Sequence, residues 1–133
     1  ITGAGTAGSS DVEQCVASSS DPDGDVDGTH ASAEDAKKIA KSRMKAYGWD
    51  DDDEYECLVR IWTRESGWRW NAENTSSGAY GIPQSLPGSK MASAGQDWRD
   101  NASTQIKWGL DYILQRYKTP CGAWAVWQTR NWY

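Results

Sequence analysis

Leu58, Ile61, Trp62 and Glu65 stand at i, i+3, i+4 and i+7, so the spacing puts a carboxylic acid on the apolar face of an α-helix. Gly67 follows as the expected C-cap, which places Glu65 in the last turn. Burial disfavours an ionised carboxylate, and the negative end of the helix dipole disfavours it further. The expected product is a glutamic acid that stays protonated near neutral pH, as a general acid must. The same spacing also suits a glutamate that reaches solvent from a fraying helix end, and the pattern leaves both readings open.

Other reactive groups are scarce. His30 is the single histidine and lies in an Asp/Gly-rich stretch, so a Ser-His-Asp triad or a multi-histidine zinc site is hard to build. Cys15, Cys57 and Cys121 show no C-x-x-C spacing. Carboxylates are what is left. Asp23, Asp25, Asp27 and Gly28, followed by Glu34, match an EF-hand calcium loop, with acids at positions 1, 3, 5 and 12 and Gly at 6. No entering helix is evident before it, and His30 takes a place normally apolar. A calcium site and a solvated Asp/Gly linker are the two readings. The acidic run at residues 50–54 reads as a helix start, its carboxylates capping free N–H groups and opposing the dipole.

The elements that would hold these groups are helical. With 133 residues there is room for one ordinary domain. Mean hydropathy is -0.80, and no apolar run approaches the ~20 residues of a membrane span. No signal-peptide pattern is present, so any secretion signal is expected to have been removed. Net charge of -5 argues against a nucleic-acid partner. Residues 1–31 read as a flexible Gly/Ser/Asp-rich leader with one possible helical turn at 11–16, and residues 32–133 as the folded domain.

Ser32 opens a capping-box-like start, and its helix buries Ile39, Met44 and Tyr47 before Gly48 ends it. Beyond the Glu65 helix, residues 79–85 suit a short hairpin or Ω-like excursion, and Pro83 excludes a central strand. A helical turn is expected at 91–98. A long helix follows at 102–117, capped by Asn101 or Asp100, with Ile106, Leu110, Ile113, Leu114 and Tyr117 as its core stripe. Gly109 costs that helix about 1 kcal/mol relative to Ala, so it marks a close contact. The tail suits one more short helix bearing Trp124 and Trp127, with Trp132 beyond it. Nine tryptophans and six tyrosines without phenylalanine suit both a core and a sugar-binding cleft.

Residues 57–133 resemble the lysozyme-like domains of secreted actinobacterial lytic transglycosylases and their phage-borne relatives. W-T-R-E-S-G-W is similar to the family's catalytic E-S motif, G-A-Y-G-I-P-Q to its G-x-x-G-x-x-Q motif, and N-A-S-T-Q-I-K-W-G-L-D-Y-I to the helix that follows. The resemblance implies a mainly α, goose-type or soluble-transglycosylase-like domain with a minimal β-hairpin lobe. It implies cleavage of the MurNAc–GlcNAc bond of peptidoglycan by one acid, Glu65, leaving 1,6-anhydro-muramoyl ends.

By the same resemblance Ser66 helps hold the carboxylate, and Gln84 with the backbone around Tyr80 and Ile82 binds sugar. Tyr112 lies near Glu65, while Trp68, Trp124 or Trp127 stack on sugar rings. Cys57 and Cys121 are expected to pair, tying the C-terminal tryptophans to the Glu65 helix, with Cys15 left free or paired between chains. No cofactor is required beyond a possible structural calcium. A secreted, cell-wall-associated protein is implied, a monomer or part of a larger cell-wall or phage lysis protein. The family's A-Y-N triplet is missing, and A-V-W-Q occupies its approximate place. Glu73, Asp97 and Asp100 are the downstream acids a two-carboxylate glycosidase would draw on. Hydrolysis of the same bond, or binding of peptidoglycan without cleavage, are the alternatives.

Overall fold

The computed structural model describes residues 28–131. They form four α-helices, α1 (Ala33–Met44), α2 (Asp52–Ser66), α3 (Ala102–Tyr117) and α4 (Pro120–Arg130). Two 3-10 segments, Lys45–Tyr47 and Gly88–Ser93, complete the regular structure, and the only β pairing among the described residues is three isolated bridges. The chain is mainly α.

Each helix starts where a side chain satisfies its free N–H groups. Ser32 accepts from Asp35 N at 3.1 Å, and Asp51 accepts from Glu54 N at 3.0 Å. Asn101 accepts from Ser103 N at 2.8 Å, and Thr119 accepts from Gly122 N at 3.0 Å with Pro120 in the first turn. Asp51 is thus a cap in the acidic run, as expected of it. The first helix tightens into the 3-10 turn Lys45–Tyr47 and stops at Gly48, whose φ of 81° suits a residue without a Cβ.

The core gathers Ile39 and Met44 of α1, Leu58, Ile61 and Trp62 of α2, Ile106, Leu110 and Ile113 of α3, and Ala123 of α4. Helix α2 packs along α4, and α1 along α3. Two expectations shift. Leu114 is 45% exposed, because the buried stripe of α3 centres on Ala102, Gln105, Ile106, Gly109, Leu110 and Ile113, and Leu114 lies past its edge. The turn expected at 91–98 is the 3-10 segment Gly88–Ser93, drawn earlier because Gly88 packs under Tyr80 and Trp98.

The folded unit also begins before residue 32. Ala102 N donates to Gly28 O at 2.8 Å, His30 N donates to Asp100 O at 2.9 Å, and Thr29 bridges Asn101. Residues 28–31 therefore lie against the start of α3 rather than in a free leader. Asp23, Asp25 and Asp27, the turn at 11–16, Cys15 and Trp132 fall outside the described residues. Glu34 stands exposed in the first turn of α1. No described helix is long and apolar enough to cross a membrane.

At Gly109 the backbone of α3 meets the Trp62 ring of α2. A Cβ there would stand 2.5 Å from Trp62 Cζ2 and 3.1 Å from Pro83 Cβ. Gly109→Ala should therefore destabilise by about 1–3 kcal/mol through overpacking, despite the helix propensity alanine adds. Denaturant unfolding checks this, and a more stable variant would contradict the close packing.

Candidate active site

Glu65 lies in the last turn of α2, which Gly67 ends with a φ of 65° and an N–H donated to Trp62 O and Thr63 O. Its side chain is 1% exposed, and neither carboxyl oxygen has a hydrogen-bond partner. Removal from water is the chief reason its pKa is pushed up to about 8. The Trp127 indole N–H acts in the opposite sense, lying near enough to draw the pKa down without closing a hydrogen bond within normal limits. The acid is thus protonated at neutral pH and only weakly attached to its surroundings.

Two helices wall it in. From α3 comes Tyr112, stacked on Trp108 with ring centroids 5.2 Å apart. Burial first, then the neighbouring Tyr117, push its pKa up to about 12, and the Glu65 charge adds to the rise. Tyr112 is therefore within electrostatic reach of Glu65 and holds its proton. From α4 come Trp124 and Trp127, stacked at 5.7 Å with planes 16° apart. The Arg64 guanidinium lies 5.2 Å from the first ring and 5.6 Å from the second. The A-V-W-Q stretch thus supplies Trp127 to this wall.

The Cys57–Cys121 disulfide, with Cα atoms 5.0 Å apart, joins α2 to the start of α4 and fixes this wall. Cys121 N also donates to Glu54 Oε1 at 2.9 Å.

The loop after α2 is strapped beneath the acid. Ser66 Oγ donates to Ile82 O at 2.7 Å and accepts from Trp68 N at 3.1 Å. The Ser66 hydroxyl therefore holds the loop, not the Glu65 carboxylate. Tyr80 and Ser85 exchange backbone hydrogen bonds of 3.0 Å each, closing a turn in which Gly81 has φ 85° and Gln84 φ 57°. The expected hairpin is reduced to this turn and its bridges.

Gln84 is 1% exposed and donates to Ala72 O and Gly81 O, so its amide builds the turn instead of facing a ligand. Ile82 is buried, and the buried Tyr80 donates its hydroxyl to Arg99 O. Trp68 is buried edge-on against Trp62 with its indole N–H on Val59 O, which removes it as a sugar platform.

Gln105 organises this loop from α3. It is fully buried, accepts from Ile82 N at 3.0 Å, and donates to Trp70 O and Trp98 O. A polar residue on the buried stripe of α3 is the same signal that marked Glu65 in α2. Arg64 and Trp108 had no comparable signal, since each sits beside its helix's apolar face.

The downstream acids lie in other settings, and Asp111 of α3 accepts from the Tyr47 hydroxyl and pairs with Lys107 at 3.2 Å. Asp97 accepts from Thr104 Oγ1 at 2.7 Å and Asn101 Nδ2 at 3.0 Å, and these hydrogen bonds lower its pKa. Asp100 lies 3.7 Å from His30, whose ring stacks on Trp70 at 4.1 Å. Glu73 is exposed on the turn that bridges Tyr80. Among the described residues no three metal-ligating side chains converge.

No family model matches the chain, and no curated protein and no solved structure matches it.

Proposed function

We propose that the protein is a peptidoglycan lytic transglycosylase of lysozyme-like fold, secreted to the cell wall, with Glu65 as its single acid/base. The observation that carries this reading is a carboxyl group, 1% exposed and without a hydrogen-bond partner, between aromatic walls from α3 and α4, where burial pushes its pKa up to about 8. A structural glutamate in a core is normally paired, because an orphaned polar group costs about 1–3 kcal/mol. Aromatic faces at Trp108, Tyr112, Trp124 and Trp127 suit the apolar faces of pyranose rings.

In the proposed reaction Glu65 gives its proton to the oxygen linking MurNAc C1 to GlcNAc. The C1–O bond breaks and the GlcNAc hydroxyl leaves. The 6-hydroxyl of the same muramoyl residue then closes on C1 and returns a proton to Glu65. One acid thus serves twice, and no second carboxylate is needed. Among the described residues no carboxylate shifts the Glu65 pKa, which supports this over a paired-carboxylate hydrolase. Tyr112 keeps its proton and lies within electrostatic reach of the carboxylate that forms.

Purified sacculi digested by the protein distinguish the routes. Muropeptides lighter by one water than the hydrolytic products are expected, and products carrying that water would assign hydrolysis instead.

Calcium binding through Asp23, Asp25, Asp27 and Glu34 is proposed on their spacing alone. Calorimetric titration with calcium should give heat with wild type and less with Glu34→Gln. Two equal null titrations would dispose of the site.

A further inference from the structure

Among the described residues, the buried side-chain polar atoms left without a hydrogen-bond partner are three: both carboxyl oxygens of Glu65 and Nε1 of Trp127. They come from α2 and α4, and the indole N–H already influences the Glu65 proton. An unused N–H donor in a packed interior is a cost that a phenyl ring would avoid. The ring itself is well held, stacked on Trp124 with the Arg64 guanidinium over both rings.

We infer that Trp127 is a positioning residue whose indole N–H is kept for the Glu65 carboxylate that forms when the acid releases its proton. The inference rests on the reading of Glu65 as a proton donor. In the resting acid the carboxyl group is neutral and a weak acceptor, so an open donor nearby is tolerated. Once the proton leaves, the negative charge stands in a site that excludes water. A charge-assisted N–H···O⁻ bond is then roughly twice as strong as a neutral one. The donor thus favours the product of the first proton transfer over the resting state, as catalysis requires. It also orients the carboxylate for the return proton.

Among the described residues, the other charged or titratable groups around this pair are Arg64 of α2, over the indoles, and from α3 Tyr112, with Tyr117 edge-on to it and Arg116 over its ring. Arginine stays charged, and Tyr112 stays protonated through the range in which Glu65 titrates.

The test replaces Trp127 by 3-benzothienylalanine, in which sulfur takes the place of the N–H and ring packing is kept. Trp127→Phe serves as a second variant. Carbon-13 labelling of glutamate reads the Glu65 titration directly by NMR, apart from any activity, and sacculus turnover is followed over the same pH range. Loss of the donor should raise the Glu65 midpoint by about one pH unit and carry the alkaline limb of turnover with it. An unmoved midpoint in the folded benzothienyl protein overturns the inference. A raised midpoint in a protein that releases no glycan at any pH keeps the donor role and removes the enzymatic reading.

Discussion

Glu65→Gln is expected to be more stable than wild type at neutral pH, and the gain should vanish in acid. The glutamine has the same shape but no ionisable proton. In the folded protein burial holds the Glu65 pKa up at about 8, against 4.5 for an ordinary glutamate. Between those values the folded state keeps a proton that the unfolded chain releases. Stability therefore falls with rising pH across that window and levels off once Glu65 ionises in the fold. Near pH 7 the cost is about 3 kcal/mol, and below the ordinary glutamate pKa it is absent. The difference between variant and wild type, from denaturant unfolding at pH 4 to 9, should rise through this window. Parallel curves would mean that Glu65 is solvated. Cleavage should follow the same group in reverse sense, high while Glu65 is protonated and falling as pH passes about 8.

Removing the Cys57–Cys121 bridge should have the other large effect. The bridge closes a loop with a sequence separation of 64, for which loss of chain entropy in the unfolded state predicts about 4 kcal/mol. A domain of this size is stable by about 5–15 kcal/mol, so reduction or the double serine variant takes away a large share. The consequence for the site is more specific. Helix α4 carries Trp124 and Trp127 against Arg64 and Glu65, and the bridge ties its first turn to α2. Freed at that end, α4 should let water reach the carboxyl group and lower its pKa toward the ordinary value. Unfolding with and without reductant measures the first effect, and the Glu65 NMR midpoint in the reduced, still folded protein measures the second. An unchanged midpoint would show that α4 holds its place without the bridge.

How far these features can be read from residue order depends on how local their cause is. The i, i+3, i+4, i+7 spacing puts Glu65 on one face with Leu58, Ile61 and Trp62 but does not say that the structure closes over it, and the caps at Ser32, Asp51, Gly48 and Gly67 follow from local N–H and φ requirements. Gly109 was legible as a close contact, though not that Trp62 is what it meets. Ser66 read as a support for the carboxylate, and Trp68 and Gln84 as ligand-facing, because motif spacing carries no direction. Their actual partners, Ile82 O, Val59 O and Ala72 O, are chosen by the turn at residues 80–85 and its positive φ values. The pairing of residues 28–31 with 100–102 spans most of the chain, and an Asp/Gly-rich composition conceals it. Trp127 could be counted among many tryptophans, but only the packing of α4 on α2 brings its N–H to Glu65.

The central claim is that a buried, protonated Glu65 cleaves glycan strands. Its most direct test is release of soluble muropeptides from purified sacculi by wild type and Glu65→Gln, side by side near pH 6, with both proteins verified as folded. The account predicts steady release by wild type and a loss of at least about a thousandfold in the variant, which keeps the site's shape but has no proton to give. Equal release by the two proteins, or none by either, would contradict it.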